Sequence, residues 1–175
     1  IDEHDRPFFT MELKTGLSLR KVLSNLRAGR GLEDYPYQRR LSIIIRICEA
    51  ISYAHSQRVL HLDLKPENIQ IGSFGEVQVC DWGMGEVERS DTEDHTSVSL
   101  LDPDLYGDQL EVVVKGTPGY MAPEQENHRS TKSAQTEIYS IGCLLYELAT
   151  LEKPSAREVK PPESRALAAI LEKAC

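Results

Sequence analysis

Asp63, Lys65 and Asn68 lie within the run His61-Leu62-Asp63-Leu64-Lys65-Pro66-Glu67-Asn68, and Asp81-Trp82-Gly83 follows shortly after. Their types and spacing could do chemistry together. A hydroxyl attacking a phosphorus atom needs an oriented carboxylate, and the group in transfer needs a cation close by. Asp63 and Lys65 are two residues apart, so on an extended loop both side chains face one site. Magnesium ions bridging nucleotide phosphates prefer hard oxygen ligands, which the Asn68 amide and the Asp81 carboxylate supply. The pattern points to phosphoryl transfer from a nucleotide.

Local elements must bring these groups together. Ile69 to Ile71 and Glu76 to Cys80 read as two short strands joined by the turn Gly72-Ser73-Phe74-Gly75, a hairpin that returns Asp81 to the side of Asn68. Those glycines serve the turn, so Gly72 to Val77 is no phosphate-cradling loop. Lys115-Gly116-Thr117-Pro118-Gly119 lacks the glycine, lysine, hydroxyl order of a Walker loop. Ser18 is placed to cap a helix carrying Leu19, Val22, Leu23 and Leu26, which Gly29-Arg30-Gly31 ends. A longer helix is expected from about Gln38 to His55, with Leu41, Ile44, Ile45, Cys48 and Ile51 inward. Another runs from Glu137 to Thr150, where Ile138, Ile141, Leu144, Leu145 and Leu148 mark the core face and Cys143 is packed.

The catalytic run, the Asp81-Trp82-Gly83 triplet and Ala122-Pro123-Glu124 occur in the order found in protein kinases, as catalytic loop, DFG-type triplet and APE-type triplet. The chain resembles the C-terminal lobe of a eukaryotic-like (Hanks-type) Ser/Thr protein kinase of bacterial type. Pro7 to Leu13, Tyr53-Ala54-His55 and Met121 to Gln125 have the style of that branch. The resemblance implies an α+β kinase-like fold, mainly a helical C-lobe with a small β-hairpin. Residues 1–13 would be the last N-lobe strand and hinge, residues 14–175 the C-lobe, and residues 81–124 the activation segment. The rest of the N-lobe would lie upstream, leaving a fragment of marginal stability that is inactive alone.

The resemblance also implies roles. Asp63 orients the substrate hydroxyl, Lys65 steadies the γ-phosphate of ATP, and Thr117 bonds near both. Asn68 and Asp81 hold magnesium. Met11 is the gatekeeper, and the backbones of Glu12 and Lys14 pair with adenine. Ser18 stands where a ribose contact is expected, alongside its capping role. Gln70 lies beneath adenine, where the family usually has an apolar residue, and an amide there must find partners or stay solvated. His61 and Trp82 belong to the hydrophobic stack that aligns the lobe. Cys80 borders the nucleotide site or is simply a small buried hydrophobe. Glu137 replaces an aspartate that anchors the catalytic loop; the extra methylene is either absorbed or loosens the loop. The APE glutamate, Glu124, would lack its usual arginine partner. Between Pro154 and the Pro161-Pro162 helix start the family has a longer segment, either deleted or not represented.

Leu62 replaces an arginine that would hold a phosphorylated activation loop. Leu105 to Lys115 contains only Tyr106 as a hydroxyl residue, which implies activity independent of activation-loop phosphorylation. The acidic, hydroxyl-rich run from Ser90 to Ser99 reads as a solvated, disordered loop. The alternatives are a pseudokinase acting as a nucleotide- or protein-binding module, motivated by Gln70, Glu137 and the short distal segment, and a small-molecule phosphotransferase.

Net charge is −8 over 175 residues, with no basic stripe interleaved with aromatics, which argues against nucleic acid as a partner. No apolar run is long enough to cross a bilayer. Cys48, Cys80, Cys143 and Cys175 lack CxxC or zinc-ligand spacing and suit reduced thiols in a cytoplasmic protein. Expected partners are proteins bearing Ser or Thr.

Overall fold

The computed structural model describes residues 15–87, 98–99, 116–126, 132–154 and 165–174. Met11, Glu12, Lys14, the hinge strand, most of the activation segment and the Pro161-Pro162 helix start lie outside them.

Strand β1 (Leu17–Ser18) leads into helix α1 (Leu19–Arg27). Ser18 is extended, and its hydroxyl accepts from the Lys21 N–H at 3.3 Å, satisfying one of the donors a helix start leaves free. Leu19, Val22, Leu23 and Leu26 are all buried. Helix α2 (Tyr37–Ser56) follows, then β2 (Val59–Leu60), the catalytic-type loop, and the hairpin β3 (Ile69–Ile71) and β4 (Val77–Val79). The second hairpin strand is one residue shorter at each end than the sequence suggests.

Strands β5 (Glu86–Val87) and β6 (Val98–Ser99) complete two three-stranded antiparallel sheets, ordered β1-β3-β4 and β2-β5-β6. The run from Ser90 therefore ends in a paired strand rather than entirely in solvated loop: Glu86 lies opposite Ser99 and Val87 opposite Val98. Helices α3 (Ala134–Thr150) and α4 (Arg165–Ala174) close the helical layer.

The core lies where α1, α2 and α3 meet, with Leu19, Leu23, Ile47, Ile51, Leu144 and Leu148 fully buried. Two inward assignments on α2 are corrected. Ile45 is 56% exposed and Cys48 is also exposed, while Ile43, Ile44, Ile47, Ile51 and Ala54 face inward. Three consecutive isoleucines leave the phase of the apolar stripe ambiguous, and packing against α3 selects the other phase. On α3, Ile138 is likewise exposed at 45%, whereas Cys143, Leu144, Leu145 and Leu148 are buried.

Candidate active site

The loop between β2 and β3 is held from below by Glu137 of α3. Glu137 is buried, and its Oε1 accepts the N–H groups of His61 at 2.6 Å and Leu62 at 2.8 Å. Its Oε2 lies 2.6 Å from His55 Nε2, at the end of α2. The extra methylene is absorbed, and the loop has its anchor. Leu62 has φ 64°, a left-handed conformation uncommon for a side chain of its size.

His61 fixes the loop to the following triplet. Its Nε2 donates to the Cys80 carbonyl at 2.9 Å, so Nδ1 carries the lone pair that accepts the Asp63 N–H at 3.2 Å. The ring meets Trp82 edge-on, with centroids 4.6 Å apart. The Cys80 N–H donates to the Asn68 carbonyl at 2.8 Å. Cys80 is thus pinned at both backbone groups, directly before Asp81, which is exposed and left-handed at φ 62°.

Asp63, Lys65 and Thr117 form a closed triangle. Lys65 Nζ donates to Asp63 Oδ2 at 2.5 Å and to Thr117 Oγ1 at 2.9 Å, and Thr117 Oγ1 donates to Asp63 Oδ1 at 2.7 Å. Asn68 Nδ2 bonds the Asp63 carbonyl at 2.9 Å and Oδ2 at 3.2 Å. A carboxylate has about four acceptor sites, and these contacts use three, leaving one on Oδ1 for an incoming hydroxyl. Both Asn68 bonds use its nitrogen, so Oδ1 of the amide is the uncommitted atom. Of the other sequence-derived residues, Gln70 is half-buried in the middle of β3, opposite Ser18 of β1, and Ser18 uses its hydroxyl as a helix cap.

Sequence reasoning assigned no role to Gln125, His55, Arg20, Tyr120 or Glu147. Glu147 is fully buried and takes Arg20 Nη1 at 3.0 Å, Arg27 Nη2 and the Tyr120 hydroxyl, while Arg20 Nε also pairs with Glu67 at 2.6 Å. Burial works against the Arg20 charge, but bonds to Glu67 and Tyr120 and the Glu147 charge outweigh it and push its pKa up. Burial also opposes ionisation of Glu67, yet Arg20 holds its carboxyl below the usual range. A glutamate in the apolar run Leu144-Leu145-Tyr146-Glu147-Leu148 was the available signal, because a buried charge must be paired.

The helical layer, the two small sheets and this triangle define a protein kinase arrangement, and the family model described as Protein kinase domain matches residues 1–172. The chain belongs to that family. It is similar to the serine/threonine-protein kinase PknD of Protochlamydia amoebophila (strain UWE25), 37% identical over 164 residues that cover 87% of this chain and 16% of that protein. The PknD of Chlamydia pneumoniae is 34% identical over 89% of this chain and 17% of its own length. The PknD of Chlamydia caviae is 32% identical over 87% and 17%. The chain spans about a sixth of the length of these relatives.

Proposed function

We propose that this chain is the mainly helical part of the catalytic domain of an ATP- and magnesium-dependent Ser/Thr protein kinase, with residues 81–124 as its activation segment and the cytoplasm as its place of action. The closed triangle of Asp63, Lys65 and Thr117 carries this reading. A substrate Ser or Thr hydroxyl bonds the remaining acceptor site of Asp63 Oδ1. Its oxygen forms a bond to the γ-phosphorus of ATP as the bond from that phosphorus to the β–γ bridging oxygen breaks. The hydroxyl proton passes to Asp63, and ADP leaves. Lys65 offsets charge on the transferred group, and Thr117 holds the carboxylate in register.

The donor chemistry suits magnesium. Asn68 has an uncommitted amide oxygen and Asp81 an exposed carboxylate, both hard ligands, and magnesium takes its other ligands from phosphates and water. Bound there, the ion would neutralise phosphate charge. The buried Leu62 side chain offers no cation to an activation-loop phosphate, which supports activity without that modification.

The test is phosphate transfer from ATP and magnesium to a generic Ser/Thr protein substrate by the full-length protein. Asp63→Asn should reduce transfer at least about a hundredfold, and phosphatase treatment should leave it intact. Nucleotide binding without transfer by the folded wild type would favour a pseudokinase, and transfer to a metabolite alone a small-molecule phosphotransferase.

A further inference from the structure

Gln125, at the end of the Ala122-Pro123-Glu124 run, is 2% exposed, although nothing in the transfer step calls for an amide there. Its Oε1 accepts the Ala122 N–H at 2.9 Å, closing its own turn. Its Nε2 donates to the Leu62 carbonyl at 3.0 Å, across to the catalytic-type loop. Leu62 directly precedes Asp63, and its N–H is one of the two held by Glu137. Both backbone groups of this left-handed residue are therefore gripped by buried side chains, one from each side. Strained conformations of this kind persist only where surrounding structure fixes them.

The same amide reaches the other half of the triangle. Gly116 directly precedes Thr117 and has φ 137°; a Cβ there would come within 3.3 Å of Gln125 Nε2 and 2.8 Å of Met121 Sδ. The glycine lets the backbone pass this close. One side-chain amide thus lies against the residue before Asp63 and the residue before Thr117, whose side chains bond to each other at 2.7 Å.

We propose that Gln125 is a positioning residue that sets the register of Thr117 against Asp63, and so the aim of the carboxylate at the incoming hydroxyl. The proposal deepens the kinase reading and rests on it for its kinetic consequence. The contacts assign the donor N–H a distinct role. Gln125→Met keeps the volume and loses the side-chain bonds to Ala122 and Leu62. Gln125→Glu keeps the acceptor for Ala122 but sets a carboxylate oxygen against the Leu62 carbonyl; when protonated, that carboxyl donates again.

The experiment measures phosphate transfer by the full-length protein and both variants across a pH series, each rate taken relative to wild type. Gln125→Met should lower kcat about tenfold to a hundredfold at every pH with KM for ATP unchanged, the size of loss small misplacements cause. Gln125→Glu should be equally impaired at alkaline pH and recover as pH falls. Among the described residues, the ionisable groups beside the amide and its partners, His61, Asp63, Lys65, Glu124, Glu126 and Glu137, are present in all three proteins, so the comparison isolates position 125. Unchanged kcat in folded Gln125→Met, or identical pH-independent losses in both variants, would overturn the proposal. Amide hydrogen exchange keeps the two readings apart. Gln125→Met should accelerate exchange in peptides spanning 60–65 and 116–122 but not within α2, even if wild type and Asp63→Asn alike transfer no phosphate; unchanged exchange in those peptides overturns the coupling by itself.

Discussion

Glu137 divides one carboxylate among three donors: two successive backbone N–H groups on one oxygen and an imidazole on the other. Each buried N–H left without a partner costs about 1–3 kcal/mol. Glu137→Ala strands two, so it should lower folding stability by about 2–6 kcal/mol on that arithmetic, read as a shift in urea midpoint at constant slope. Phosphate transfer should fall beyond what the unfolded fraction explains, because His61 and Leu62 lead directly into Asp63. A loss confined to stability would mean that the loop holds its shape without this anchor. The chemistry of Asp63, Lys65 and Asn68 is legible in sequence because those residues fall within six positions of each other. Two of the bonds that aim them are not: Gln125 reaches Leu62 across 63 positions, and His55 reaches Glu137 across 82. Sequence spacing carries no signal at that range; folding supplies it.

At the scale of elements, helix α2 shows what periodicity can and cannot decide. Its existence and extent are legible from the apolar run, but the sequence Ile43-Ile44-Ile45 satisfies two stripe phases. The observed phase buries Ile47, at 0% exposure, and turns Ile45 outward. Truncating a well-packed buried isoleucine removes transfer free energy and leaves a cavity, whereas an exposed one loses little. Ile47→Ala should therefore cost about 2–5 kcal/mol and Ile45→Ala less than about 0.5 kcal/mol, by the same urea titration. The reverse order would restore the phase first expected from the sequence, with Ile45 and Cys48 inward. Helix α1 presents no such ambiguity, since Leu19, Val22, Leu23 and Leu26 fit one stripe and Ser18 marks its start. The β5–β6 pairing is the harder case: β6 emerges from an acidic, hydroxyl-rich run with no strand pattern, and its partner rather than its composition makes it a strand.

Across the whole molecule, two guanidiniums and two carboxylates, joined by the Tyr120 hydroxyl, tie together α1, the turn that ends the catalytic-type loop, the segment bearing Thr117, and α3. Ser140 adds a second tie, donating to the Tyr120 carbonyl at 2.7 Å. Tyr120 is buried in this cluster, and burial together with the Glu147 carboxylate pushes its phenol well above the ordinary range, against the pull of Arg20. In the unfolded chain the phenol ionises at about pH 10. Between that pH and its raised folded pKa the native state keeps a proton that the unfolded state has released, so stability falls as pH rises. Below about pH 10 the contribution is complete. Tyr120→Phe removes both the hydroxyl bond to a buried carboxylate and this titration. At neutral pH it should be less stable than wild type by about 1.5–3 kcal/mol, the range for hydrogen bonds to charged groups. Urea midpoints compared at about pH 8 and about pH 11 should then show the gap narrowing, because only the wild type loses the tyrosine contribution on the alkaline side. Arg20, whose pKa Tyr120 helps to raise, stays charged at both pH values in both proteins, and groups away from the cluster cancel in the difference. A gap that stays constant with pH would mean that the Tyr120 proton is not held by the folded state. The hydroxyl would then act as a packing contact rather than as the proton-bearing link between the segment bearing Thr117 and α3.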